Sequence, residues 1–315
     1  MTWDPTPWSV GGGAEHSPEL LRLLAHATTS GAEGVVAGLD CKVSALTVAA
    51  GSVNVAAGSV IIRNAYAGGG QQSYVARNGS LDVVAVSQTA GAAQSDLVVA
   101  RILDPQYEGA APADPNAFSY VRTTVIAGVP SGTTSVAGLG LTYPAFALAR
   151  IDLPANTGAV AGGMIKDLRR IAAPRVERLT FSDYPSVVDE VSLSATLGSP
   201  DVWPNTATFQ VAIPPWATRA RMRADIVSAF IVTATAEGGF GVRLSNEAVQ
   251  NSRWRGNLND RLNLLAGGEI IIPVAQRGTT QAYRATAYRN VGTGGLRVDG
   301  GSSVLMELDL IEAVI

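Results

Sequence analysis

The feature that most constrains this chain is a ladder of short β-branched runs between Val43 and Pro105. Leu46–Val48, Ser52–Val55, Ser59–Arg63 and Leu81–Val86 are separated by Gly51, Gly58, Gly68-Gly69-Gly70, Asn78-Gly79 and Gly91. Residues of this kind pack on a pleated, half-buried surface, and glycine supplies the positive φ that tight turns require. The stretch closes on Ser95–Pro105, whose apolar run Leu97–Ala100 suits a strand buried on both faces. No catalytic constellation accompanies the ladder.

Composition extends the argument to the whole chain. With 315 residues there is length for two ordinary domains, and 34 Gly with 16 Pro favour many short strands and turns. A net charge of −3 calls for neither nucleic acid nor an anionic membrane. Lys42 and Lys166 are the only lysines among 23 basic residues. A G/C-rich coding sequence accounts for that skew, with selection for planar bidentate contacts as the alternative. Cys41 stands alone, which excludes a disulfide within the chain and a cysteine metal cluster; a buried structural thiol is expected. The opening stretch has no basic segment followed by an apolar core, so an ordinary signal peptide is not expected. No run approaches the ~20 apolar residues of a membrane helix, and membrane insertion is not expected.

In chain order, residues 1–15 alternate Trp, Pro and Gly and read as an extended arm, with Trp3 and Trp8 plugging a neighbouring subunit or folding back. Ser17-Pro18-Glu19 then opens a helix with a capping hydroxyl, a proline in the first turn and an acid at the positive dipole end. Leu20, Leu21, Leu23, Leu24 and Ala27 give it one apolar face before Gly31 stops it. His16 and His26 lack the carboxylate spacing of a metal site and suit surface or cap roles. Gly11-Gly12-Gly13 and Gly68-Gly69-Gly70 lack the strand, lysine and helix of a phosphate loop. The polar loop Asp104–Asn116 lacks the alternating acid ladder of a calcium loop.

Strands are expected again at Tyr120–Ile126 and Ala145–Leu153, then a helical turn or two at Met164–Ile171, where Ile165, Leu168 and Ile171 recur every three residues. Composition shifts there, which puts the domain boundary at 173/174. Beyond it, strands are expected at Val187–Leu197, Ala207–Ile213, Arg219–Ile231, Gly241–Leu244, Glu269–Val274, Gln281–Tyr288 and Val304–Ile311. The fold class is therefore mainly β: a β-rich domain over 16–173 with a short N-terminal helix, then an antiparallel, jelly-roll-like β-sandwich over 174–315.

Several stretches of the first half carry a resemblance. Gly12–Glu19 with the following helix, Gly31–Val36, Val60–Asn64, Gly69–Tyr74, Ser95–Arg101 and Ile165–Arg169 resemble, in that order, the minor tail proteins of phages that infect actinobacteria. The resemblance covers roughly residues 9–173. It implies a structural protein of the virion, assembled in the host cytoplasm into the tail tip or baseplate. Its first domain would dock on other tail proteins, and its second would be displayed to the host envelope.

The second half offers no catalytic frame. A glycosidase needs two carboxylates about 5 to 10 Å apart, and the candidates are Asp183, Asp189, Glu190, Asp201, Glu237, Asp260 and Glu269. None sits in a recognisable frame, and no histidine follows His26 to serve as a base. The expectation is a binding protein without enzymatic activity, cofactor or metal; a cell-wall glycan-degrading enzyme is the alternative. Trp203, Trp216 and Trp254 are the aromatic faces that could stack on sugar rings, with core packing or a trimer contact as the ordinary reading of each. Trp254, between Arg253 and Arg255 in a polar stretch that reads as an exposed loop, is the preferred anchor for a host glycan. A mean hydropathy of +0.19 implies apolar surface buried between chains, and a homotrimer with its sandwiches around the axis is expected.

Finally, Arg219, Arg221, Arg223 and Asp225 fall on one face of their strand, as Glu307 and Asp309 do on theirs. A row of three arginines repels itself unless a neighbour carries acid. The two strands are therefore predicted to be antiparallel neighbours; arginines free to bind an anionic polymer are the alternative.

Overall fold

The computed structural model describes residues 17–185, 191–193 and 198–315. The arm with Trp3, Trp8 and His16, the carboxylates Asp189 and Glu190, and most of the strand expected at 187–197 lie outside the described residues. The chain divides into two compact units, one running to Ala173 and including Val314–Ile315, the other Pro174–Ala313.

Among its described residues, unit 1 holds helix α1 (Pro18–Thr28) and ten strands: β1 (Gly34–Val35), β2 (Val43–Ala45), β3 (Ser52–Val55), β4 (Gly58–Arg63), β5 (Ser73–Asn78), β6 (Asp82–Ala85), β7 (Gln94–Ile102), β8 (Val121–Val129), β9 (Ala145–Leu153) and β10 (Ile165–Asp167). They form three antiparallel sheets, ordered β1-β4-β5, β2-β3-β6 and β10-β9-β7-β8. Strand β7 is buried on both faces, as its apolar run requires. Val98 and Ala100 enter one core with Ile62, Leu148 and Ile151, while Leu97 and Val99 enter a second with Val129, Ala145 and Ala147.

The helical turns expected at Met164–Ile171 are not formed. A short 3-10 turn at Gly162–Met164 leads into β10, which pairs Ile165 with Ile151 and Asp167 with Ala149. The reason is local. In an extended segment Asp167 grips Arg169 two residues on, at 2.7 and 2.9 Å, and the guanidinium also reaches the carbonyls of Gly38 and Asp40.

Unit 2 holds β11 (Val176–Asp183), β12 (Val191–Ser192), β13 (Asp201–Val202), β14 (Thr208–Ala212), β15 (Arg219–Val232), β16 (Ala236–Leu244), β17 (Glu247–Gly256), β18 (Arg261–Ile271), β19 (Thr280–Gly292), β20 (Gly295–Val298) and β21 (Ser303–Ile311). Eight of these make a jelly roll. Its pairings nest, with β11 on β21, β14 on β19, β15 on β18 and β16 on β17, all antiparallel. One sheet then reads β11-β21-β15-β18, with β20 and β12 extending it beyond the end of β21. The other reads β14-β19-β16-β17, with β13 beside β19. Strict alternation drives this burial: Ala220, Met222, Ala224 and Ile226 face inward from β15, and Met306, Leu308 and Leu310 from β21.

Candidate surface for host binding

Two outer sheet faces of unit 2 carry the residues singled out by sequence. On the first, β15 lies between β21 and β18, and the predicted antiparallel pairing of β15 with β21 is present. Arg221 is opposite Asp309 and Arg223 opposite Glu307. One row across four strands alternates in sign: Glu269, Arg221, Asp309, Arg178. The shortest contacts are not all the expected ones. Asp309 is gripped by Arg178 at 2.7 Å, Arg219 by Glu269 at 2.8 Å, and Arg223 by Asp225 of its own strand at 2.8 Å. Arg223 stands 3.9 Å from Glu307. The guanidinium of Arg178 holds the Asp309 carboxyl below the usual range, with Arg221 adding to the effect. These arginines are neutralised in place, so the anion-binding reading of the row loses its basis.

On the second face the site is built around Gly238-Gly239 in β16. Trp254 is opposite Gly238 on β17, and Tyr288 opposite Gly239 on β19. A methyl group on Gly238 would come within 2.7 Å of the Trp254 ring, and one on Gly239 within 2.3 Å of the Tyr288 ring. The two glycines therefore admit one aromatic ring on each face of the sheet. Trp254 takes the inner side and Tyr288 the outer.

This corrects the expectation for Trp254. It lies in a strand, not an exposed loop; it is only 4% exposed and donates its indole N–H to the Gly239 carbonyl at 3.1 Å. Alternation explains the error: within Arg253-Trp254-Arg255 the two arginines point outward and the ring between them points into the core. Trp203 is also core, and Trp216 packs against it with Arg175 5.1 Å from its ring centroid.

Arg253 and Arg255 are exposed, as expected. The aromatic residue beside them is Tyr288, which in the sequence is only the last residue of the strand expected at Gln281–Tyr288. The signal that could have found it is the glycine pair facing it. Arg253, Gly239 and Tyr288 form one row across three strands, and Arg255 stands 4.0 Å from Glu237 in the next. With Asn290 these groups line a depression of about 250 Å³. An aromatic face, two guanidinium groups, a carboxylate and an amide offer stacking together with planar hydrogen-bond donors and acceptors.

The described carboxylates considered for glycoside hydrolysis are mostly held in local contacts. Asp183 accepts from Thr206, Asp260 from the Asn257 amide, Glu269 pairs Arg219 and Glu237 faces Arg255. Among the described residues, no three His, Cys, Asp or Glu side chains are placed to hold a metal ion. The acids of the Asp104 loop are occupied in other ways, Asp104 by Arg22 and Tyr74 and Glu108 by Arg101 and Tyr66. No described helix is long and apolar enough to cross a membrane.

No protein-family profile matches the chain, and no curated protein matches it. Among solved structures, infectious bursal disease virus of the Gx strain is similar at 12% identity, over 89% of this chain and 71% of that one, with a TM-score of 0.24. The VP2 subviral particle of the same virus is similar at 14% identity, over 95% and 83%, with a TM-score of 0.22. Likenesses at this level leave the reading of the chain to its own residues.

Proposed function

We propose that the chain is a structural virion protein of a phage tail tip or baseplate, whose unit 2 presents the Tyr288 face to a glycan of the host cell wall. The observation that carries this reading is the row Arg253–Gly239–Tyr288, with Arg255 and Glu237 beside it, on the solvent face of one sheet of a jelly roll. A paired sheet fixes the backbone positions from which the ring and both arginine side chains project, which lowers the ordering that stacking on a sugar requires. The resemblance of residues 9–173 to minor tail proteins supplies the setting, with unit 1 docking on other tail or baseplate proteins. The reading assigns the chain no catalytic step.

The test is sedimentation of the purified protein with actinobacterial cell walls. Tyr288→Ala and the double substitution Arg253→Ala/Arg255→Ala are expected to reduce bound protein at least tenfold, with circular dichroism unchanged. Undiminished binding by both variants would remove the face from the argument. Dye release from labelled walls is expected to stay at background, and clear turnover would replace the binding role with an enzymatic one.

A further inference from the structure

The outer face of the β14-β19-β16-β17 sheet carries a second group of polar residues, further along the strands from Tyr288. Phe240, Val242 and Leu244 face the core from β16, and Tyr283, Ala285 and Ala287 face it from β19. Gly241 and Arg243, with Thr286 and Arg284, therefore face out. Arg243 is directly opposite Arg284, and Gly241 directly opposite Thr286. The arginine row reads Ala248, Arg243, Arg284, Thr208 across four strands and contains no acid. Among the described residues neither guanidinium has a hydrogen-bond or ion-pair partner. On the other sheet Arg178, Arg219 and Arg223 each grip a carboxylate at 2.7 or 2.8 Å.

Three polar atoms of this group are buried and unpaired: Nε of Arg243, Nε of Arg284 and the hydroxyl oxygen of Thr286. Thr286 is only 1% exposed although it points away from the core, and Gly241 beside it contributes no side chain. Like charges directly opposite on a sheet repel, and a polar atom sealed from water without a partner loses its hydration for nothing. An anion at this point removes both penalties at once.

We propose that Arg243, Arg284 and Thr286 form a site for a tetrahedral oxyanion of the phosphate class. One guanidinium fork already satisfies both oxygens of a carboxylate. Two forks and a hydroxyl suit an anion with three or four oxygens, which would cancel the repulsion and engage all the orphaned donors. The two arginines are partly exposed, so rotation of their side chains brings the buried Nε–H groups to the ligand. Gly239, under the Tyr288 ring, and Arg243 are ~13 Å apart along β16. On the glycan reading of the Tyr288 face, and resting on it, the phosphate is a substituent of the same polysaccharide.

Thermal melting of the purified full chain at neutral pH tests the site, with inorganic phosphate replacing chloride at matched ionic strength. At phosphate about ten times its Kd, the parent should melt about 2–4 °C higher. Arg243→Gln and Arg284→Gln should each lose that rise, and Thr286→Val should reduce it. Arg221→Gln, on the other sheet of the same unit, should keep it. No rise in the parent overturns the site. An equal rise in every variant also overturns it, because phosphate stabilises any fold by exclusion from protein surfaces. Retention on phosphorylated dextran, against plain dextran, then separates the sources. Retention that Arg284→Gln abolishes assigns the phosphate to a polymer, and a melting rise without retention assigns it to the free ion. Wall sedimentation reads Tyr288 and Arg253, whereas the phosphate response reads Arg243 and Arg284, so either can fail alone.

Discussion

The hydroxyl of Tyr283 lies 2.8 Å from the carbonyl oxygen of Arg223, although the two residues belong to opposite sheets of the jelly roll. The ring crosses the core with no exposed surface, and its oxygen also meets the Glu307 carbonyl at 2.6 Å and accepts from the Arg223 amide at 3.1 Å. Burial pushes the phenol's pKa well up, so it stays a donor at every ordinary pH. One tyrosine thus ties β19 to the β15–β21 pair that carries the alternating charges.

Tyr283→Phe should therefore destabilise unit 2 by about 1–2 kcal/mol, the cost of a buried hydrogen bond lost with its partner left in place. Urea unfolding measures it. A change below about 0.3 kcal/mol would mean the two carbonyls are satisfied without the phenol.

Trp254→Ala should cost far more, about 3–5 kcal/mol, because it empties a core position and frees the Gly239 carbonyl. Gly238→Ala should be comparably damaging, since its new methyl would lie 1.8 Å from the Tyr288 carbonyl oxygen. Thermal melting distinguishes this from a surface role. A Trp254→Ala protein that melts like the parent would return Trp254 to the surface and undo the two-ring arrangement.

The fold was legible wherever the strand signal was strong. The ladder of β3, β4 and β6 follows from its β-branched runs, the doubly buried β7 from a continuous apolar run, and the long β15 with its pairing to β21 from period-2 alternation. It failed where the pattern was diluted. Strand β17 reads EAVQNSRWRG and looks like a polar loop, because its outward positions carry charge and few of its inward ones are strongly apolar. Strand β18 begins at Arg261, not Glu269, and Gly267-Gly268 masked its continuity. In α1 the pattern was read correctly, but pattern alone does not say which side a helix docks by. Its buried residue is Arg22, whose partners lie 50 to 85 residues away, while Leu21, Leu23 and Leu24 are exposed. The stretches that carry the tail-protein resemblance fold into buried polar anchors. Asp96 accepts from Gln94, Ser87 and Gly128, Gln72 accepts from Arg22, and Arg169 is gripped by Asp167. Some of these partners, Gly128 for Asp96 and Arg22 for Gln72, lie 32 and 50 residues away, which a local reading does not contain.

Acid should weaken unit 2 over a defined range. Hydrogen bonds from Arg175, Arg178 and Arg261 hold the carboxyls of Glu312, Asp309 and Asp299 below their ordinary values. A carboxylate with a depressed folded pKa contributes stability that is complete above its unfolded value, about 4, and is lost as pH falls through the folded one. The urea midpoint should hold steady down to about pH 5 and fall steeply below about pH 4. Glu312→Gln should flatten part of that fall, since Arg175 and Glu312 clasp the first and last strands of the unit at 2.8 and 2.9 Å. A midpoint independent of pH down to about 3 would show these pairs to be energetically silent.

A large polar contribution in unit 1 should come from Arg22. Its side chain is 9% exposed and that of Asp104 15%, so water does little to replace the pair. Arg22→Met keeps the length of the stem but withdraws the cation from Asp104 and the donors from Gln72 and Gln106. It also removes the charge 5.4 Å from the Tyr74 ring centroid and 5.6 Å from that of Tyr107. Breaking one side of a buried pair typically costs about 3–5 kcal/mol, most of it from the charge left behind. Arg22→Met should therefore lower unfolding stability by about 3 kcal/mol. Adding Asp104→Asn should recover part of that, because it removes the stranded carboxylate while leaving an acceptor for the Tyr74 hydroxyl, now 2.8 Å from it. Strictly additive losses in the double variant would mean that Asp104 finds water once Arg22 is gone, and that packing, not charge, fixes the helix in its outward-facing pose.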